Sequence, residues 1–179
     1  LTLTENAQPA LMAMSLAVTR VLRQDGGMEF GKHCQFVAGH SLGEYSALCA
    51  ADALALDATA QLLKKRGQAM QQAVPVGQGT MAALLGLDFE AAAGVAADAA
   101  QGQVCDVAND NAPGQVVVSG NVEAVERAVE LAKDRGARRP MLLPVSAPFH
   151  CALMQPAADI MAEALEISPP IAPAVPLVA

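Results

Sequence analysis

Residues 36–46 read FVAGHSLGEYS. A short apolar run, Phe36-Val37-Ala38, meets Gly39, and a run with helical spacing begins at Gly43. One serine, Ser41, is held between the two glycines. A Gly-x-Ser-x-Gly junction between a strand and a helix leaves few folds open. The glycines permit a crowded turn, the turn lifts the serine hydroxyl off a sheet, and the following helix aims its first N–H groups at the same point. That is the geometry of a nucleophilic serine, and it predicts an α/β fold.

The flanking sequence is consistent with it. Residues 34–38 are predicted to form a short buried strand and residues 43–51 a helix. Leu11, Met14, Ala17, Val18, Val21 and Leu22 repeat at helical spacing, which predicts a helix up to residue 24. Pro9 is tolerated only in a first turn, so the start is placed at residues 6–8. Asp57 is expected to cap a helix running to residue 73, ended by Pro75 and Gly77.

From residue 79 the texture changes. TMAALLGL, QVCDVAN, QVVVSG and RRPMLLPV read as strands. Two helices are interleaved, one starting at Asp88 and one capped by Asn121 and stopped by Gly136. The order strand-helix-strand-strand-helix-strand is the ferredoxin-like split pattern. Residues 77–143 are therefore expected to form an inserted ferredoxin-like subdomain. Residues 1–76 and 144–179 are expected to form a larger, α/β-hydrolase-like subdomain. SAPFHC precedes a helix over residues 152–165, and a Pro-punctuated extended stretch leads to a last strand.

A nucleophilic serine needs a base, and the chain offers three histidines. His33 lies in a polar lead-in beside Lys32 and is read as surface. His40 adjoins the serine, but neighbouring side chains diverge in a tight turn, so it is read as structural. His150 stands where a strand gives way to a loop at Pro148, and strand ends are where α/β sites form. His150 is the expected base and Leu42 N–H the expected oxyanion donor. Asp106, Asp110 and Asp134 fall in the inserted segment, and none is placed persuasively as a third member. A Ser-His dyad fits better.

Composition narrows the rest. The chain has 179 residues, 53% hydrophobic, with a formal net charge of -7. An acidic surface does not draw nucleic acid or an anionic membrane. No apolar run reaches the roughly 18 residues of a membrane span. The four cysteines are scattered and read as reduced thiols of a cytoplasmic protein. Neither they nor the histidines show ligand spacing, so no metal is expected.

GHSLGEYSAL, LLKKRGQAMQQA, NDNAPGQVVVSG and LPVSAPFH occur in that order, with AQPAL near the start. In these motifs the chain resembles the malonyl-CoA:acyl-carrier-protein transacylase family of bacterial fatty acid synthesis, and the acyltransferase domains of polyketide synthases. The resemblance spans the whole chain. It implies a ping-pong reaction in which Ser41 takes malonyl from coenzyme A and passes it to the phosphopantetheine thiol of acyl carrier protein. His150 matches the family's histidine and Arg66 the arginine that holds the malonyl carboxylate. Asn111 and Gln8 match residues near the substrate. Phe149 resembles the malonyl-selecting pattern. No cofactor beyond the coenzyme A thioester substrate is implied, and the protein is expected to be a monomer.

Read from composition alone, Arg66 after Lys64 and Lys65 is a solvated basic face; read as a carboxylate partner, its planar fork is the fitting choice. Lys133, Arg135, Arg138 and Arg139 form a basic cluster suited to an acidic carrier protein, or simply a helix C-terminus that favours cations. The family's Gln-rich segment with the second oxyanion donor, and a later glutamine whose carbonyl orients the histidine, find no match here. The sequence thus reads as the central portion of a longer enzyme. By itself it is expected to be weakly active, with exposed strand edges. Two other readings share the serine turn: a thioesterase or other serine hydrolase, and a non-catalytic piece of the fold.

Overall fold

A computed structural model of the protein describes residues 3–179. The elements run α1 (Thr4–Gln24), α2 (Phe30–His33), β1 (Val37–Ala38), α3 (Gly43–Ala50), α4 (Leu56–Ala73), β2 (Gly79–Leu85), α5 (Phe89–Ala100), β3 (Cys105–Asp110), β4 (Gln115–Asn121), α6 (Val122–Asp134), β5 (Arg139–Leu142), a 3-10 turn (Ala152–Met154), α7 (Gln155–Ile167) and β6 (Leu177–Val178). They divide into two compact units, residues up to 69 with 159–179, and residues 70–158.

In the first unit β1 and β6 pair in parallel, Val37 opposite Leu177 and Ala38 opposite Val178. Val37, Ala47, Ala51 and Val175 form a small core with Phe30 and Leu177 packed against it. Leu54, Leu62, Met161 and Ala164 form another, lined by Tyr45, Leu48 and Leu165.

Several local elements differ from the sequence expectation. The strand foreseen over residues 34–38 is only Val37–Ala38. Its front is instead the exit from α2, with the C-cap Cys34 donating its N–H to Phe30 O at 3.0 Å. That single turn is also closed by Glu29 N–H donating to His33 Nδ1 at 2.9 Å and by a Lys32–Glu29 ion pair at 2.7 Å. Helix α1 starts at Thr4, which puts Pro9 beyond the first turn. Its extra turn is gripped from α4: Lys64 Nζ reaches Glu5 Oε2 at 3.3 Å and Asn6 Oδ1 at 3.2 Å. Asp57 lies inside the first turn of α4, where its charge still suits the helix N-terminus. The helical period of α1 is as read, but its apolar stripe is not its inner face. Leu11, Met14, Val18 and Val21 are exposed, while Gln8 and Met12 are buried.

The second unit is a four-stranded sheet in the order β3-β4-β2-β5, each neighbouring pair antiparallel. The two-residue period of the strands sorts its faces. Val116 and Val118 pair with Leu84 and Ala82 and face α5 and α6, while Met81, Ala83 and Val117 face the other way. The helices meet the sheet through small residues at helical spacing, Ala92, Val95, Ala96 and Ala99 on α5 and Ala124, Val125, Ala128 and Ala132 on α6. Leu84, Val95, Val116, Val118 and Val125 are wholly inaccessible, and side chains of this kind each stabilise by about 1.5–3 kcal/mol.

Asp88 caps α5 as foreseen, accepting Ala91 N–H at 2.8 Å. Asn121 stands at the N-cap of α6 but makes no cap bond. Its amide oxygen accepts Val104 N–H at 2.8 Å while its own N–H donates to Val104 O at 2.9 Å. Its side chain therefore ties β3 to β4 instead of capping the helix. The helix foreseen over 152–165 starts as a 3-10 turn and continues as α7 to Ile167.

Candidate active site

Ser41 lies between β1 and α3 at φ +54°, in the left-handed region. For a residue with a side chain this conformation costs on the order of 1–3 kcal/mol, and it persists only where the surroundings impose it. Here the imposition comes from Gly39. A Cβ at Gly39 would collide with the carbonyl group of Gly43 and the nitrogen of Glu44. The strand end and the helix start are packed backbone against backbone. The two glycines thus differ: Gly39 must lack a side chain, whereas space beside Gly43 is open. Gly43 N–H donates to His40 O at 2.9 Å and Glu44 N–H to Ser41 O at 3.2 Å. Among the described residues no carbonyl accepts Leu42 N–H. It stands at the N-cap of α3, where the helix's unspent donors point outward.

Arg66 comes to the serine from α4. Its Nη2 donates to Ser41 Oγ at 3.1 Å and its Nη1 to Gln8 Oε1 at 2.7 Å. Gln8 is 2% exposed, and its Nε2 donates onward to Thr4 Oγ1 at 2.9 Å. The sequence next to Arg66 explains this approach. A Cβ at Gly67 would strike the Glu5 backbone, so α1 lies directly on α4 at that point. The contact sets Gln8 beside the guanidinium. Tyr45, in the first turn of α3, lies with its ring centroid 5.9 Å from Arg66 Cζ. Burial draws the Arg66 pKa below its usual value, opposed by Tyr45 and Glu44. A guanidinium stays charged regardless. Burial likewise raises the Tyr45 phenol, against the pull of Arg66.

The structure thus brings Ser41, Arg66 and Gln8 together. Of the Lys-Lys-Arg run, Lys64 pairs with Glu5 and Lys65 is exposed; only Arg66 turns to the serine. Tyr45 and Thr4 were missed at sequence level. Tyr45 had a weak signal, since it lies in the first turn of the helix that follows Ser41.

His150, Phe149 and Asn111 belong to the second unit. His150 is exposed and also has a left-handed backbone, φ +58°. The segment around it is tightly held. Gln71 Nε2 donates to Ser146 O at 3.3 Å, and Pro148 is fully buried. Phe149 packs on the face formed by Met81, Ala83 and Val117. The Cys151 thiol donates to Pro148 O at 3.2 Å. Asn111 is exposed in the turn between β3 and β4, its N–H donating to Gln115 O at 3.1 Å. His33 is exposed, and the His40 carbonyl helps close the serine turn.

All four cysteines are free thiols. Burial, with Asp106 adding to it, pushes Cys105 up to about 11. Burial also raises Cys151. Neither thiol is poised as a thiolate nucleophile to rival Ser41. Among the described residues no group of three or more His, Cys, Asp or Glu could hold a metal ion, and no helix is long and apolar enough to cross a membrane.

The malonyl CoA-acyl carrier protein transacylase of Escherichia coli (strain K12) is 49% identical over 175 residues, covering 98% of this chain and 55% of the relative. The crystal structure of an acyl-carrier-protein-S-malonyltransferase from Bartonella henselae superposes with a TM-score of 0.96 at 58% identity, covering 100% of this chain and 57% of that one. A malonyl-transacylase solved in complex with its type II PKS acyl-carrier protein superposes with a TM-score of 0.93 at 46% identity, covering 98% and 56%. The chain therefore spans little more than half the length of the relatives it matches. The pattern of the acyl transferase domain family matches residues 1–179 without remainder. With the serine turn, its arginine and this match in agreement, the chain belongs to the acyl transferase domain family.

Proposed function

We propose that this chain carries the serine-histidine machinery of a malonyl-CoA:acyl carrier protein transacylase. One observation carries the reading. A permanent cation, Arg66, is fixed on the Ser41 hydroxyl and on buried Gln8. A hydrolase acting on neutral esters has no use for a guanidinium there. An acyl group ending in a free carboxylate does, because a bidentate cation both holds it and selects it.

In the first half-reaction Ser41 Oγ attacks the thioester carbonyl of malonyl-CoA while His150 takes the hydroxyl proton. Leu42 N–H stabilises the oxyanion. The C–S bond then breaks, and His150 returns the proton to the departing coenzyme A thiol. The second half runs in reverse: His150 takes the proton of the phosphopantetheine thiol, whose sulfur attacks malonyl-Ser41, and Ser41 leaves as the hydroxyl. No further cofactor is required. Asn111 and Phe149 complete the acyl pocket in this reading. Phe149 crowds an α-methyl branch, so Phe149→Ala is expected to narrow the preference for malonyl over methylmalonyl, a discrimination worth about 10–200-fold. Direct competition between the two thioesters measures it.

The βαββαβ order and the strand order β3-β4-β2-β5 support a ferredoxin-like subdomain over residues 77–143. The Gly39-x-Ser41-x-Gly43 turn supports an α/β-hydrolase-like larger subdomain over 1–76 and 144–179. The net charge of -7 fits a cytoplasmic monomer that does not bind nucleic acid or membrane. Carrier protein is then received on local cations. Lys133 and Arg135 are already paired with Glu130 and Asp98, which favours exposed Arg138 and Arg139.

The test is coenzyme A release by the intact protein, followed with and without a pantetheine thiol. A transacylase turns over only with the thiol. Equal turnover without it establishes a thioesterase instead.

A further inference from the structure

We propose that Asp106 is a positioning residue for His150, acting through the backbone of Ala152. This rests on the assignment of His150 as the base. Asp106 Oδ2 accepts Ala152 N–H at 2.8 Å. Ala152 opens the 3-10 turn that runs directly into α7, and Cys151 at its N-cap supplies no side-chain cap. The first donor of that helical run is therefore capped from 46 residues upstream, by a carboxylate. A charge-assisted bond at a helix N-terminus is a strong form of cap.

The location matters as much as the bond. Asp106 lies within β3, opposite Ser119 of β4, so the acceptor rides on a paired strand rather than a loop. On the other side of His150, Pro148 is seated on Gly79 of β2 so closely that no Cβ would fit there. Phe149 packs on the same sheet. His150 is thus strung between two anchors of one rigid sheet, Gly79 before it and Asp106 after it. Its left-handed backbone requires such anchoring, because without it the residue relaxes to an ordinary conformation. A general base displaced by about 1 Å loses on the order of 10²-fold in rate.

The experiment compares Asp106→Ala, Asp106→Asn and His150→Ala in the intact protein. Asp106→Ala is expected to lower kcat by about ten-fold or more, with KM for malonyl-CoA unchanged. Hydrogen exchange over residues 150–154 should accelerate in the same variant. Asp106→Asn, whose amide oxygen still accepts the Ala152 N–H, should restore most of both. Wild-type kcat and exchange in Asp106→Ala overturn the proposal. So does a kcat loss that merely follows a lowered Tm, or an Asn variant as impaired as the Ala variant, since charge alone would then be at work. His150→Ala keeps the two questions apart. Full activity there overturns the base assignment, whereas an inactive His150→Ala beside an unimpaired Asp106→Ala overturns only the positioning role.

Discussion

Replacing Arg66 by alanine is expected to lower kcat/KM for malonyl-CoA by about 10²-fold or more, while an acetyl thioester is used as well as before or better. Truncating one member of a buried, hydrogen-bonded charge pair costs about 2–5 kcal/mol, and the malonyl carboxylate would be the member left behind. Acetyl has no carboxylate to strand. Arg66→Lys should recover only part of the loss. A lysine is a point charge and cannot span Gln8 Oε1 and Ser41 Oγ with two parallel donors. Steady-state kinetics on both thioesters measures the split. Equal losses on the two would mean that Arg66 supports the fold and does not read the acyl group.

The second large effect is expected from Gly39→Ala. The added methyl meets backbone atoms of Gly43 and Glu44, which cannot swing aside as a side chain end would. Either β1 or α3 must move, and both carry small core residues, Val37 and Ala47, that pack on Val175. Overpacking of this kind costs about 1–3 kcal/mol, occasionally more. In a domain of this size that lowers Tm by roughly 2–12 °C. Activity should fall further than stability, because the displaced turn is the one that holds Ser41 at φ +54°. A thermal melt and a malonylation assay on the same preparation separate the two. Unchanged Tm and unchanged activity would contradict the packing described for the turn.

The serine turn was legible because its chemistry is local: two glycines and a strand-helix change are enough to specify it. The order of elements over residues 79–142 was legible for a similar reason. Its strands keep a two-residue period, and Asp88 has no nearer partner than the helix it caps. What was not legible depends on partners far along the chain. Pro9 argued for a later helix start, and the grip of Lys64 on Glu5 and Asn6 overrode it. Asn121 had the chemistry of a cap, but Val104 claimed it. The stripe from Leu11 to Val21 marked a helix without marking what it faces, since periodicity carries no information on which surface is covered. Composition alone made Arg66 the end of a solvated run and only the family motif singled it out; why it turns to the serine lies in how closely α1 approaches α4 at Gly67. Asp106 was weighed as a third catalytic member and instead holds a backbone N–H two residues past the histidine.

Ser41 as the acyl carrier is tested most directly by intact mass of the protein mixed with malonyl-CoA, with Ser41→Ala alongside. The expected result is a single malonyl adduct that Ser41→Ala lacks and that disappears onto added carrier-protein thiol. An adduct that persists in Ser41→Ala, or that decays at the same rate with no thiol present, would contradict it.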